Sequence, residues 1–578
     1  MSILDFFKKK KPIPTPWEKY YTAEELNIKI PNISMYEQVK RTALLYPNLV
    51  AIKYFNVSIT YKKLMNLIDK ATISLETMGI KKGDIVTICL PNLPEALIVL
   101  YALNKLGAVA NMLHPLSAEE EVRQSIENTK SKLLFFTDSF YPKIENIIHS
   151  TCVEKVIFVS PADSLNFIMK IGYKIKQRNK YKKYPKDPLF TSFKKFMNLS
   201  KNKKMGKYPK YGRNTPAVIL HSGGTSGTPK NIVIQNRAFI LLSLQGKKIL
   251  HKLKVGDSCL TIMPNFHGFG LGVVMHTPLV LGATVILVPQ FDAKKFDVLL
   301  NKTKPNCVLG VPTLYEALTN SDNVKNLDLS CLKYVISGGD ILTKNLEERV
   351  NNYLREHNSN ATIAQGYGLS ESLAAVILAV DNLNKSGSVG IPLPGNYVKI
   401  IDRVTRNTMP YNEVGEIVIH TKGMMMGYLN DESETNAALQ VHDDGYVWLH
   451  TGDLGYMDED GYVFYKGREK RMIITSGYNV YPSHVEEVIE SHPAVLQCTV
   501  IGVPHPYKQE VGKAFIVLKS GYHGLFVKAD IKNYCKKNLA KYMIPQTFVY
   551  RKQLPKTKLG KVDFQKLQSD IGVDDDET

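Results

Sequence analysis

Apolar and polar positions follow two periods along the first half of the chain. Over 60–75, Leu64, Leu67, Ile68, Ala71 and Leu75 recur at helical spacing, which predicts a helix with one buried stripe. Residues 84–89 (DIVTIC) predict a strand. Pro94 is expected to open an apolar helix, EALIVLYALNKLG, followed by a strand at VANML. Ser117 with Glu120 has capping-box spacing and predicts the next helix, and 132–136 (KLLFF) predict another strand. AVIL (217–220) reads as a strand and NIVI (231–234) as strand-like. Such alternation predicts an α/β fold, a large N-terminal domain of mostly parallel sheet with helices on both faces. No fixed-period repeat is present.

One stretch, 269–289, is long and greasy enough to suggest a membrane span. His276, Pro278 and Gly282 interrupt it, and VILVP reads as a short buried strand, so a buried core segment is expected. Nearer the C-terminus the pattern changes around 467–471. There Ser483 with Glu486 predicts a capped helix carrying Val485, Val488 and Ile489. The strand-like CTVIGV and KAFIVL and a helix near 530–539 follow. The expected organisation is a large domain over 1–467 and a small, mobile α+β domain over 468–578.

Composition changes the picture in three places. With 578 residues, 44% hydrophobic and 22% charged, the chain has the usage of a multidomain globular protein. Lys+Arg exceed Asp+Glu by 74 to 54, giving +20, which suits anionic partners such as nucleotides, CoA, nucleic acid or acidic lipid heads. Seven cysteines without a CxxC pair argue against a disulfide scaffold or zinc ribbon and suit a reducing, cytoplasmic setting. At the start, apolar residues precede a lysine run, the reverse of secretory order.

The charge is concentrated. Residues 160–214 hold 16 Lys+Arg and two acids, or +14 of the +20, interleaved with aromatics from Tyr173 to Tyr211. A solvated basic loop is one reading, and a peripheral membrane contact the sharper one. No recognised nucleic-acid module accompanies the patch, so no specific nucleic-acid partner is expected.

Candidate chemistry lies in five short stretches. HSGGTSGTPK (221–230) sets three glycines, four hydroxyls and Lys230 between two apolar runs. Glycines permit close backbone approach to a phosphate, and N–H and hydroxyl groups donate to its oxygens. No GK[ST] closes the stretch, so it is not a Walker A loop. QGYGLSE (365–371) places Glu371 after a Gly-Tyr-Gly turn, and TGD (451–453) offers Asp453 in a turn. GREK (467–470) offers Arg468 and Lys470, and PKTKLGK (555–561) offers Lys561 near the C-terminus.

In this order and spacing the five stretches resemble the adenylate-forming superfamily: acyl-CoA synthetases, adenylation domains of nonribosomal peptide synthetases and firefly luciferase. The likeness runs from about residue 30 to 568. Asn231 replaces a common glycine at the end of the loop, and Gly223 a common serine. The resemblance implies a two-step reaction. A carboxylate attacks the α-phosphate of ATP, giving acyl-AMP and pyrophosphate, and a thiol, most often that of CoA, then takes the acyl group and releases AMP. It implies phosphate contacts from Ser222, Gly223, Gly224, Thr225, Ser226, Gly227, Thr228 and Lys230. Glu371 matches the Mg²⁺ ligand, with Ser370 where threonine is usual. Asp453 matches the acceptor for the ribose hydroxyls, assisted by Arg468. Gly338, Gly339 and Asp340 match the adenine-binding strand end, with Tyr367 stacking and Gly368 beside it. Lys561 matches the catalytic lysine of the first step, and Lys470 the hinge about which the small domain rotates. Ser476, Gly477 and Tyr478 match the wall of the pantetheine tunnel, and His267 the gate between that tunnel and the acyl pocket.

Stretches 266–272, 310–315 and 337–341 are expected to wall the acyl pocket. Within them GFGLG and GVPTLY are small and apolar, and no obvious charged residue waits for a substrate ammonium. That favours a fatty or aromatic acid. The opening PWEKYY and the basic insert are similar to those of bacterial medium- and long-chain fatty acyl-CoA ligases. The expected activity is an ATP-dependent acyl-CoA ligase for a medium- or long-chain fatty acid, with Mg²⁺ as cofactor and ATP and CoA as cosubstrates. Its alternatives are an acyl-AMP ligase that loads a carrier-protein thiol, an aryl-CoA ligase, and a membrane- or nucleic-acid-binding protein that has lost catalysis.

Overall fold

The computed structural model describes residues 12–177, 184–206, 208, 211–222, 230–475, 478–557 and 561–569. Four sheets organise them. The first has nine strands. Its six central strands are parallel: Ile363–Tyr367, Tyr334–Gly338, Cys307–Gly310, Ser258–Thr261, Thr284–Leu287 and Val50–Tyr54. The second has eight strands, and parallel pairing runs from Pro216–Ser222 through Val109–Met112, Ile85–Cys89, Leu133–Thr137 and Lys155–Val159 to Phe190–Ser192. Five antiparallel strands between Asn396 and Arg468 form the third. The fourth is built from residues 473–550 around the long hairpin Val495–His505 with Gln509–Leu518. Its apolar faces make their own clusters, around Val485, Ile489 and Ile516 on one side and Phe515, Val549 and Leu567 on the other.

The local patterns explain these elements. The helix Tyr61–Thr77 buries Leu64, Ile68, Ala71 and Leu75, its apolar stripe. The helix Pro94–Leu106 starts on its proline, ends on left-handed Gly107, and is buried on nearly every side. A helix apolar all round belongs in a core, and this one shares a cluster with Ile52 of the nine-stranded sheet and Val86 of the eight-stranded sheet. The greasy segment folds as the helical turns Phe269–His276 and Thr277–Val280 and then the strand Thr284–Leu287. Among the described residues no helix is long and apolar enough to cross a membrane.

His276, one of the residues that break the greasy run, is fully buried. Its Nε2 lies 3.1 Å from Gln38 Oε1 and its Nδ1 3.0 Å from the Tyr101 hydroxyl. Burial pushes its pKa down to about 3. An unfolded histidine titrates near 6.5, so between these values only the unfolded chain holds the proton. His276 therefore stabilises the fold fully above about pH 6.5, and that contribution is lost as pH falls toward 3, at about 1.4 kcal/mol per unit. Urea midpoints measured from about pH 7 down to about pH 5 should fall with this slope, and His276→Gln should lose that part of it.

Several expectations are corrected. The helix expected from Ser117 is Glu119–Thr129, and Glu121, not Glu120, reaches back to accept from the Ala118 N–H at 2.9 Å. Glu120 pairs with Arg123 instead. Ser483 is not a cap: the helix is Pro482–Glu490 after Tyr481, and the Ser483 hydroxyl donates to the Lys466 carbonyl. Glu486 is buried, bound to Arg471 and the Val500 N–H. Asp453 is not in a turn but inside the strand Val447–Met457.

The basic insert is not a loop throughout. The Tyr184 ring stacks on Phe158 at 4.2 Å, and Phe190, Phe193 and Phe196 are buried. Tyr211 packs so closely on Gly107 that a Cβ there would lie 2.5 Å from the ring. Tyr184 and Phe196 thus pack on the strands Lys155–Val159 and Leu133–Thr137, and Tyr211 at the end of the helix Pro94–Leu106. The earlier part forms the helix Phe167–Gln177.

Candidate active site

A cavity of about 1380 Å³ opens where the carboxyl ends of the nine-stranded sheet meet the third sheet and the C-terminal segment. Carboxyl ends of parallel strands are where open α/β sheets leave room for ligands. Strand periodicity builds its floor. Tyr334, Ile336 and Gly338 alternate onto one face of their strand, and Cys307 and Leu309 do so on the next. Over them lies the helix Asn236–Ile249, which contributes Leu242, Gly246 and Ile249 at helical spacing.

At the polar end, Asp453 is almost fully buried. Tyr367 donates its hydroxyl to Asp453 Oδ2 at 2.8 Å, and Arg468 Nε lies 3.1 Å from Oδ1. Antiparallel pairing sets Asp453 directly opposite Arg468. Burial raises the Asp453 pKa, and the Arg468 charge opposes that rise. The sequence bends out of its strand at Gly339, whose φ of +80° favours glycine. A Cβ on Gly339 would lie 3.8 Å from Lys561 Nζ. Burial lowers the Lys561 pKa, while Asp340 and Asp453 favour its charge.

Gly366 and Tyr367 end a strand rather than form a turn, and Gly368 starts the turn that follows. A Cβ at Gly368 would sit 1.3 Å from the Ala374 carbonyl oxygen, so only glycine fits. Glu371 stands in the short helical turn Ser370–Ser372. Beyond it Leu373 and Ala374 have φ of 56° and 79°, a left-handed backbone seldom used by residues other than glycine. Hydrogen bonds from their N–H groups to the carbonyls of Ser370 and Leu369 hold them there. Such strain is commonly stored beside functional groups. Glu371 Oε1 accepts from the Tyr428 hydroxyl at 3.0 Å, and Lys230 Nζ lies 4.8 Å from the centre of the Tyr428 ring while pairing with Glu434.

His267 lines the cavity, and its Nδ1 accepts from the Phe269 N–H at 3.3 Å. Burial first, and the nearby Lys561 charge second, push its pKa down to about 4, so it is neutral at neutral pH.

The structure therefore brings together Lys230, His267, Gly338, Gly339, Asp340, Tyr367, Gly368, Ser370, Glu371, Asp453, Arg468, Lys470 and Lys561 around one cavity. Ser222 ends its strand in register with Lys230. Gly223, Gly224, Thr225, Ser226, Gly227 and Thr228 lie outside the described residues, as do Ser476 and Gly477. Tyr478 is not at the cavity. It is 57% exposed and stacks on Tyr542 at 4.6 Å. The 310–315 stretch does not wall the pocket either. Pro312 starts a helix, and Tyr315 folds back to donate to the Ile336 carbonyl at 2.7 Å. That role falls to 242–253, where helical spacing was the available signal. His221 also faces the cavity, 2.7 Å from Asn111 Oδ1, immediately before the glycine-rich stretch. Tyr428 was not legible, because its partner Glu371 is 57 residues away.

A donor set of this kind suits a nucleotide. It offers a buried carboxylate for hydroxyl groups, a lysine deep in the cavity and glycines where a flat ring can approach. Among the described residues no group of three or more His, Cys, Asp or Glu forms a metal cluster.

Comparison with known proteins agrees. Residues 39–429 match the AMP-binding enzyme family, and residues 484–561 match the AMP-binding enzyme C-terminal domain. The long-chain-fatty-acid–CoA ligase of Bacillus subtilis is 31% identical over 95% of this chain and 96% of its own. A probable 4-coumarate–CoA ligase of Dictyostelium discoideum is 30% identical over 87% of this chain and 89% of its own. In fold, the chain is similar to the anthranilate CoA ligase AuaEII in complex with anthranoyl-AMP. The TM-score is 0.81 at 23% identity, covering 94% of this chain and 98% of that one. With its cavity, its paired carboxylate and arginine and its two matched segments, the chain belongs to the AMP-binding enzyme family.

Proposed function

We propose that this chain is an ATP-dependent ligase that joins a medium- or long-chain fatty acid to CoA through an acyl-adenylate. The apolar arm of the cavity carries the fatty-acid reading. From Gly338 back to Tyr334 it runs four strand residues, or about 13 Å. Its walls are mostly aliphatic or sulfur-bearing, with Ile336, Leu309 and Cys307 below, Leu242 and Ile249 above, and the Phe269 ring beside Gly338. A flexible alkyl chain gains about 0.8 kcal/mol for each methylene buried in such a slot.

In the first step a substrate carboxylate oxygen attacks the α-phosphorus of ATP, and the bond to pyrophosphate breaks. Lys561 neutralises charge shared by the carboxylate and the α-phosphate. Asp453 accepts from the ribose hydroxyls, held by Tyr367 and Arg468. Gly338, Gly339 and Asp340 flank the adenine, and the 222–230 stretch holds the outer phosphates. The Glu371 carboxylate is a hard oxygen donor facing this cavity and would hold Mg²⁺, with the phosphates completing the shell. That ion would supply charge neutralisation at the phosphates. In the second step the CoA sulfur attacks the acyl carbon, the bond to AMP breaks and the thiol proton passes to solvent. We assign that step to a rotation of residues 468–578 about Lys470. It would withdraw Lys561 and bring the 476–478 loop, with Tyr478, to the cavity, where neutral His267 lines the route to the acyl arm.

Tyr334 closes the distal end of the arm. Its hydroxyl lies 3.2 Å from Asp381 Oδ2 and accepts from the Lys252 N–H at 3.2 Å. Replacing Tyr334 by Leu should move the kcat/KM optimum toward longer acids, by roughly fourfold for each methylene admitted. A panel of saturated acids beside 4-coumarate measures this. Preference for the aromatic acid, with no response to Tyr334→Leu, would replace the fatty-acid reading by an aryl one.

A further inference from the structure

The helix Phe167–Gln177 is built inside out. Phe167 is 77% exposed, Ile168 80%, Ile171 44% and Ile175 70%. At 3.6 residues per turn these four fall within about 100° of arc, a single apolar stripe. A helix of a globular protein normally buries such a stripe. Here the opposite side faces the protein, with Met169 and Tyr173 half-buried and Lys170 Nζ 3.8 Å from Asp163. A contiguous apolar patch left in solvent marks an interaction surface.

The charge around it identifies the occupant. From Phe167 to Lys186 the sequence has eight Lys+Arg and no Asp or Glu. We propose that this face docks on the surface of an anionic lipid bilayer. Its four apolar side chains would enter the acyl boundary, and the neighbouring basic residues would lie among the headgroups. A second copy of the chain would set two such basic segments against each other, so like charge opposes self-association. The contact lies on the bilayer and does not cross it. It is independent of the ligase reading and stands or falls on its own test.

The full-length chain is sedimented with vesicles of equal parts phosphatidylglycerol and phosphatidylcholine, and with phosphatidylcholine alone. The comparison is with the double variant Phe167→Asp/Ile168→Asp. Residues 1–11 also join apolar residues to lysines. The deciding contrast is therefore between chains that differ only at 167 and 168. The wild type should bind the anionic vesicles, more weakly as salt rises. The double variant should lose at least roughly tenfold in partition coefficient, with an unchanged circular dichroism spectrum and urea midpoint as the check on folding. Equal binding by both chains, or no binding by the wild type, would overturn the proposal. So would a wild-type dimer that the double variant converts to a monomer, which would show that the face meets a second copy.

Discussion

Lys561→Ala is expected to lower acyl-adenylate formation by roughly 10²–10³-fold while sparing thioester formation from supplied acyl-AMP. The reason is positional. Lys561 lies beside Gly339 at the carboxyl end of its strand and within the field of Asp340 and Asp453. A lysine there neutralises phosphate charge only while the C-terminal segment closes the cavity. In the proposed mechanism that segment rotates away before the second step, which then has no use for Lys561. Lys561→Arg should not restore the rate, because a planar fork does not replace a point charge. Pyrophosphate release measures the first half, and CoA-dependent consumption of acyl-AMP the second. Equal loss in both halves would remove Lys561 from its assigned role.

Gly368→Ala is expected to have an effect of similar size for a different reason. The added Cβ would lie 1.3 Å from the Ala374 carbonyl oxygen and 2.4 Å from its carbon. Backbone cannot yield that far without moving the 369–374 turn, which already holds Leu373 and Ala374 in the left-handed region. Overpacking of this kind costs about 1–3 kcal/mol or more, and it displaces Glu371. A shift of about 1 Å in a positioned group costs roughly 10²-fold in rate. The variant should therefore show a lowered urea midpoint together with a fall in kcat. A stable, fully active Gly368→Ala would mean that the turn around Glu371 is not held as described.

Local pattern sufficed where the cause is local. The apolar stripe of 61–77, the proline and glycine at the ends of 94–106, and the paired strands around Ser222 and Lys230 all depend on neighbours in sequence. Many residues that line the cavity stood out for the same reason, in short stretches of fixed residue types. Long-range pairing was not. Asp453 reads as a turn aspartate, yet it lies inside a strand because Arg468 pairs with it across a register that no short window contains. The aromatics of the basic insert read as surface groups, yet Phe196 is buried against Phe135, more than fifty positions earlier. Glu121 rather than Glu120 closes its helix because the cap is Ala118 and the first turn begins one residue later than Ser117 suggests. The wall formed by Leu242, Gly246 and Ile249 has clear helical spacing, but which face meets the cavity is decided by the sheet beneath it.

The central claim is that one cavity forms an acyl-adenylate and then passes the acyl group to CoA. AMP and pyrophosphate release, measured together with ATP, Mg²⁺ and a panel of carboxylic acids, with and without CoA, tests it most directly. AMP release that requires CoA and peaks with fatty acids is the predicted result. Pyrophosphate release with no CoA-dependent AMP would contradict it and assign the acyl group to a different thiol.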